Sequence, residues 1–572
     1  MFRPILLACV AAVGISSAQP PAIGAPAPDI TFKDIRFLPR TLADFGERSA
    51  CLLLFHTLDE VDALKALDAV ADAGHAGVEV AALEVSPDAT VTAAAAKALE
   101  IDGSYTVLKD FDGAAAKALG IAQTPAAVVL DGARTLRYRG TLEGAKAALE
   151  ALLAGGEVPG AETPVSGKPI GELVLRAPEQ VNFAEHVAPI IHKHCGPCHR
   201  PGEATPFSLR TYNQIASRGE MIAEVVREGR MPPWYAAEGH GHFMNDRSLS
   251  PRERDTILAW VKRGMEKGDL DKAPEPPAPA ESEWSIGEPD LIITATEEDV
   301  IPASGIVDYK YPVLPYHFKE DTWVQGLEIL PSNLGVVHHV NLAYNNINGG
   351  YAEQGNFLVG RVPGNPPVDI PSPIGMLIPR DSVLFLQIHY VTTGKEERNL
   401  MRVGIRYAEG PVDKRVYYQR LRPVEPINIP PGNPRHRMQS QWTFDRNAIA
   451  VALFSHMHVR GRDMSFFAKY PDGRKETLLV IPNYNFDWQL AYQYVPGMQI
   501  FPRGTELRTV SHYDNSPFNP YNPDAAATVT YGDQTADEMN DAYVFFLDLD
   551  ESLGLEVDGD TGTVKTHLAK AE

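Results

Sequence analysis

Residues 449–458 read Ile449-Ala450-Val451-Ala452-Leu453-Phe454-Ser455-His456-Met457-His458. A short apolar run rich in β-branched and aromatic residues reads as a strand rather than a helix. Side chains two apart on a strand share a face, so His456 and His458 are placed to chelate one ion with no special backbone. Two further histidine sites lie upstream on similar strands. Val383-Leu384-Phe385-Leu386-Gln387-Ile388-His389-Tyr390 ends in His389, where a lone histidine also reads as a hydrogen-bonded core residue. In Val336-Val337-His338-His339-Val340 the two imidazoles are adjacent, so joint ligation demands a bulge or a strand end. Met539 adds a thioether. Five imidazoles and one thioether suit copper that cycles between its two oxidation states. No cysteine follows Cys198, which argues against zinc thiolate or iron–sulfur sites in this part of the chain.

From residue 284 onward, strand-like runs alternate with Pro/Gly/Asn turns. This predicts two all-β, jelly-roll-like sandwiches over 284–415 and 416–552, with the boundary near Gly410 to Asn433. The acidic, proline-bearing stretch 271–283 (DKAPEPPAPAESE) cannot form a packed core and reads as a linker.

Residues 179–270 read as an all-α unit. Leu209 to Glu228 carries helical periodicity and stops at Gly229, and Ser250, Pro251 and Glu253 form a capping box with proline in the first turn. Within this unit, Cys195-Gly196-Pro197-Cys198-His199 is the C-x-x-C-H attachment motif for haem c, with His199 placed as an axial ligand. The other axial ligand is assigned to Met231 in Gly229-Arg230-Met231-Pro232-Pro233-Trp234, because two prolines stiffen that loop and a thioether raises the reduction potential. Met221, Met244 and His242 are the alternatives. The segment from Cys195 through Met231 to Trp260 resembles small bacterial cytochrome c domains fused to other redox modules.

Residues 20–155 alternate apolar strands with alanine-rich helices, which predicts an α/β domain. Gly24-Ala25-Pro26-Ala27-Pro28-Asp29 and the later Thr124-Pro125 resemble thioredoxin-like proteins of the peroxiredoxin type, in which the Thr-Pro bond is cis. The segment after the first apolar strand is His56-Thr57-Leu58-Asp59-Glu60, without a cysteine. Dithiol exchange needs a thiolate, so the resemblance implies the fold without its chemistry, and Cys51 reads as an inert buried residue. A thiol-disulfide or peroxide enzyme is thereby set aside.

The chain has 572 residues, enough for roughly four domains at about 150 each. Its net charge of −22 argues against nucleic acid or an anionic membrane as the main partner. Arg3, the apolar run Ile5 to Ile15 and Ser16-Ser17-Ala18 read as a secretory signal over 1–18. A lipoprotein box at Leu6 to Cys9 ranks second. No other stretch reaches the length of a membrane span. An exported, periplasmic protein is expected.

Taken in order, His338-His339, His389-Tyr390, His456-x-His458 and Thr530 to Met539 resemble the copper type II, ascorbate-dependent monooxygenases, the family of peptidylglycine and dopamine hydroxylases. The resemblance covers about 300–550. It implies an electron-transfer copper held by His338, His339 and His389, and a second copper held by His456, His458 and Met539 where O₂ and substrate meet. Tyr543 matches a substrate-side tyrosine of that family. Two copper ions and one haem c per chain are implied, with ascorbate or another redox protein as reductant and a small molecule as substrate. Two departures matter. The region has no cysteine for the disulfides of the animal enzymes, and Phe454 stands where the peptide-amidating members carry a carboxylate-binding arginine. An apolar or aromatic substrate suits Phe454 better than a peptide carboxylate. His512-Tyr513-Asp514 is expected to supply acceptors for the ligand imidazoles. The rival expectation is a non-catalytic haem and copper protein that only transfers electrons or binds copper.

Overall fold

The computed structural model describes residues 19–201, 203, 205–276, 282–348, 356–362 and 365–568. The expected signal segment 1–18, and residues 277–281 of the expected linker, lie outside these. Among the described residues no helix is long and apolar enough to cross a membrane.

The N-terminal α/β region is built on a seven-stranded sheet in the order Pro39–Thr41, Thr31–Asp34, Thr106–Lys109, Val78–Glu84, Ala50–His56, Ala126–Asp131, Leu136–Gly140. Its three central strands are parallel and the flanking pairs antiparallel. Ala50–His56 is buried along its whole length, which is why it reads as an unbroken apolar run: helices cover both faces of the sheet. Leu64, Leu67, Ala145 and Leu149 pack from the helices Val61–Asp72 and Leu142–Leu153 on one side, and Ala115, Ala116 and Leu119 on the other. The Thr124–Pro125 bond is cis. This is the thioredoxin-like arrangement that the sequence implied. Cys51 is buried in the strand, with its thiol pushed up to about 12 by desolvation, so it supplies no thiolate.

Among the described residues of 179–270 the main regular elements are helices, with Phe183–Val187 leading into Ala188–His194, then Tyr212–Ala216, Gly219–Glu228 and Pro251–Lys262. Their own core contains Val187, Ile191, Ile222, Ile257 and Trp260. The helix expected from Leu209 to Glu228 is in two pieces, because Ser217 Oγ donates back to Gln214 O where the first piece ends. Gly229 closes the second in the left-handed region at φ 79°, where a side chain would be strained. The Ser250–Glu253 capping box forms as read, with Pro251 in the first turn.

The remainder is β-rich. Two sandwiches are present, but they share one sheet. Strands Leu291–Thr294, Met401–Tyr407, Thr322–Pro331 and Ile374–Ile378 continue directly into Lys414–Arg420, Asp541–Asp548, Ala448–His456 and Ala491–Gln493. The junction is a parallel pairing of Ile374 with Lys414 and Gly375 with Arg415. The division expected at 415/416 therefore falls inside a strand, Lys414–Arg420. A four-stranded sheet that includes Val337–Asn346 and Ser382–Tyr390 closes the first core, and a five-stranded sheet that includes Gly461–Lys469 and Glu506–Tyr513 closes the second. Leu555–Val557 returns to pair with Gly410–Val412 and packs on Trp323, so this strand beyond 552 belongs to the first sandwich.

The three regions are fastened together. Arg36 pairs with Asp514 at 3.2 Å and Arg435 with Asp102 at 2.6 Å, joining the α/β region to the second sandwich. Lys33 pairs with Glu228 at 2.8 Å, joining it to the helices. The loop after Gly229 inserts Trp234 and Tyr235 into the core of the second sandwich, with Trp234 edge-on to Tyr492 at 5.0 Å. Trp234→Ala is expected to cost about 3–5 kcal/mol and to split chemical unfolding into two transitions, followed by tryptophan fluorescence and far-UV circular dichroism. A single coincident transition of unchanged midpoint would show that this contact does not couple the regions.

Candidate metal centre

The bulge required of His338-His339 is present. Val337 pairs with Tyr390 and His339 with His389, so His338 is the extra residue and its imidazole turns to the same side as its neighbour's. His338 Nδ1 lies 3.0 Å from His339 Nδ1 and 3.1 Å from His389 Nδ1. Among the described residues these three form a group whose ligand atoms fit around one metal ion.

Three imidazole nitrogens facing one another at this distance suit a central cation once their protons sit on the outer nitrogens. The outer nitrogens agree. His338 Nε2 donates to Asp487 Oδ1 at 2.9 Å, and His339 Nε2 lies 3.2 Å from the Tyr309 hydroxyl. A proton held on Nε2 leaves the Nδ1 lone pair free for a metal. Tyr309 also stacks on His389 at 4.8 Å.

His456 and His458 use the opposite nitrogen. His456 Nδ1 donates to Gln489 Oε1 at 2.5 Å, and His458 Nδ1 to Asp537 O at 3.1 Å, which leaves both Nε2 lone pairs free. The strand ends at His456, so the pair does not converge by strand alternation as read. Side-chain partners replace the ladder here: Met457 N donates to Tyr484 Oη, and His458 N and Arg460 N donate to the Glu538 carboxylate at 2.8 and 2.7 Å. The rings nevertheless lie 5.1 Å apart. Burial raises Glu538 to about 8, against the pull of those two backbone N–H groups. Because Glu538 is stitched to the His458 turn, the adjoining Met539, itself buried, is carried along with it.

The two halves of the ligand set are neighbours rather than remote sites. The His339 and His456 rings are 6.2 Å apart, and Phe486 stands within 6.1 Å of His338, His339, His389 and His458. Burial removes the solvation that an imidazolium needs, and adjacent imidazoles add to this. His389 and His458 are pushed down to about 3, and His339 and His456 are also lowered. All four are neutral at pH 7, the form that binds a metal.

The expected partners in His512-Tyr513-Asp514 are elsewhere. His512 Nδ1 bonds Asp463 at 2.6 Å, Asp514 takes Ser516 and Arg36, and only Tyr513 reaches the site, donating to Met539 O at 2.8 Å. Strand pairing with Gly461–Lys469 directs His512 to Asp463 instead. The residues that do orient the ligands, Tyr309, Phe486, Asp487 and Gln489, escaped the sequence reading. Three of them lie in Asn483-Tyr484-Asn485-Phe486-Asp487-Trp488-Gln489, whose only signal is a polar, aromatic stretch between two strands.

Tyr543 pairs with Phe454 across neighbouring strands, and its hydroxyl donates to Asp541 at 3.1 Å. Asp541 also holds Arg420 at 2.6 Å.

Cys195, Cys198 and His199 follow the helix Ala188–His194 in a turn closed by His199 N to Cys195 O at 2.8 Å. Neither cysteine is in a disulfide. His199 Nδ1 donates to Phe207 O at 3.1 Å and the ring stacks on Phe207, so Nε2 is left for an axial bond. Nearby His194 is engaged at both nitrogens, by Arg247 O and Glu253. These residues fit haem c. Met231 is half-buried just after Gly229, with its N–H on Val225 O. Met221 is 42% exposed on its helix. Met244 pairs its N–H with Gln493 O, and His242 O accepts from Val495 N, which places both against the second sandwich.

Comparison of the sequence with known families and with curated proteins found no match. Solved structures similar to part of the chain include a hypothetical protein from Sinorhizobium meliloti, at 24% identity over 27% of this chain and 96% of that one, with a TM-score of 0.25. A peroxiredoxin-like protein from Aquifex aeolicus matches at 15% identity over 24% and 90%, with a TM-score of 0.21. A thiol-disulfide oxidoreductase from Bacteroides fragilis matches at 17% over 22% and 98%, with a TM-score of 0.20. The thioredoxin-like character of the α/β region rests on its strand order and cis-proline.

Asp487 is 68% exposed at its side chain, so Asp487→Ala is expected to leave stability within about 0.5 kcal/mol. The same change is expected to weaken copper binding about 10- to 100-fold by freeing the His338 ring. Competition against a Cu(I) chelator measures this, with His338→Ala as the stronger variant. Unchanged affinity in Asp487→Ala would remove the carboxylate from the site.

Proposed function

We propose that the chain is an exported, periplasmic copper-dependent monooxygenase that hydroxylates a C–H bond with O₂, drawing electrons through a covalently attached haem c. The observation that carries this reading is the convergence of five imidazoles, drawn from two sandwiches, with buried Met539 next to Glu538, which is bonded to the His458 turn. Imidazole accommodates both copper oxidation states and the thioether favours the reduced one. Bound copper would supply one-electron redox chemistry and O₂ activation, and haem c one-electron storage.

The chain's own residues then divide the work. His338, His339 and His389 would hold one copper ion through Nδ1, with Asp487 and Tyr309 fixing two of the rings. His456 and His458 would hold the second through Nε2, together with Met539, with Gln489 and Asp537 O fixing the rings. Tyr543 and Phe454 would face the substrate beside His456. Cys195 and Cys198 would bind the haem vinyl groups, with His199 and Met231 as axial ligands. The balanced reaction takes RH, O₂, two electrons and two protons to ROH and water, with ascorbate or another redox protein as the outside reductant. The loop after Met231 packs through Tyr235 near Asn485 and Asp487, beside the residues that would orient the copper ligands.

Metal analysis of the purified protein is expected to give about two copper ions and one iron per chain. Met539→Ile is expected to lower turnover at least about 100-fold, on the scale of losing one essential catalytic interaction, while leaving the haem spectrum unchanged. O₂ uptake by the reduced, copper-loaded protein is the direct test. Reoxidation without any substrate-dependent product would favour the non-catalytic electron-transfer or copper-binding alternative.

A further inference from the structure

A cleft of about 630 Å³ runs along the shared sheet between the two sandwiches, within the size range of small-molecule sites. Its floor is the face of Ala448–His456 and Asp541–Asp548 that does not enter the second core. Leu453, Val544 and Phe546 point into that core, whereas Phe454, Phe545 and Leu547 line the cleft. His456 lies two residues beyond Phe454 on the same strand, so the two side chains share this face. Asn365, a cleft residue, donates to Gln489 O and accepts from Ala491 N, and Gln489 in turn holds His456. Phe454 and Asn365 thus bring the lining of the cleft to the residues next to His456 and to its partner Gln489. From Ile449 to Phe454 the floor extends about 17 Å at the usual strand rise.

The lining is overwhelmingly apolar. Its charged member among the described residues is Asp369, which Arg406 pairs. Beside Phe454 and Tyr543, Arg420 is bound to Asp541, and Asp541 also accepts from Tyr543. The charges at the metal end are therefore already matched. Among the described residues, the side-chain cation there, Arg420, is already committed to Asp541, so a carboxylate would lose its water without a new ion pair from the protein, whereas an apolar chain gains burial.

We infer that this cleft binds a neutral, elongated apolar molecule, with the end to be oxidised against Phe454 and Tyr543 next to His456. This rests on the monooxygenase reading for the word oxidised, but the binding claim stands apart from it.

The test uses the full-length, copper-loaded protein and two probes of equal chain, methyl decanoate and decanoate, with binding followed by calorimetry. Methyl decanoate is expected to bind at least about tenfold tighter than decanoate. Ala452→Phe, which fills the floor, and Ile449→Glu, which charges the far end, are each expected to weaken methyl decanoate about tenfold or more. Both variants should keep the parent circular dichroism and copper content, so lost binding is not lost folding. Phe454→Arg is expected to reverse the preference toward decanoate. Equal binding of both probes, or binding of neither, overturns the inference. Selective binding of methyl decanoate without any hydroxylated product leaves the cleft assignment standing and defeats the monooxygenase reading. Turnover of some other substrate by protein that ignores methyl decanoate does the reverse.

Discussion

The parallel pairing of Ile374 and Gly375 with Lys414 and Arg415 is the join on which the rest of the β-rich region depends. It makes one sheet of two sandwiches, so their separation is set by backbone hydrogen bonds rather than by a flexible connection. His338, His339 and His389 come from the first sandwich, and His456, His458 and Met539 from the second. With the sheet continuous, the His339 and His456 rings can be held 6.2 Å apart. The same continuity creates the apolar cleft, because the outer face of the second sandwich is covered by the first instead of by water.

Around the cluster, hydrogen bonds decide which nitrogen of His338, His339, His456 and His458 is exposed to the centre. Asp487 and Tyr309 occupy Nε2 in one group, and Gln489 and Asp537 O occupy Nδ1 in the other. Burial keeps His339, His389, His456 and His458 neutral. Both effects leave lone pairs facing the centre, which would limit the reorganisation that binding a metal requires. Glu538 plays a different part. Its carboxylate takes two backbone N–H groups from the turn after His456, and so ties the Met539 segment to that turn where strand pairing has stopped.

The thioredoxin-like region contributes contacts rather than thiol chemistry. Cys51 is held as a buried thiol, and the segment His56 to Glu60 offers none. Its ion pairs to Glu228, Asp514 and Arg435 clamp the helical region and the second sandwich in place. The helical region answers through Trp234 and Tyr235, which pack into the second core near the loop that carries Phe486, Asp487 and Gln489.

Local pattern alone disclosed much of this. Strand periodicity and turn residues marked the β-rich region, Ser250-Pro251-Glu253 marked a helix start, and the adjacency of His338 and His339 required the bulge that the structure contains. The C-x-x-C-H spacing and the missing thioredoxin cysteines are likewise legible without a fold, because each is a short-range fact about neighbouring residues. The partners of the imidazoles were not legible. Tyr309 and His339 are separated by 30 residues, and His338 and Asp487 by 149, so only folding brings them together. His512 looked eligible by composition, and strand register gave it to Asp463. The sequence by itself thus determined the ligand types and the kinds of element that carry them. Tertiary structure decided that the two candidate ligand groups adjoin, which nitrogen four of the rings present, and that an apolar cleft lined by Phe454 lies two residues from His456, because sheet pairing across distant segments sets all three.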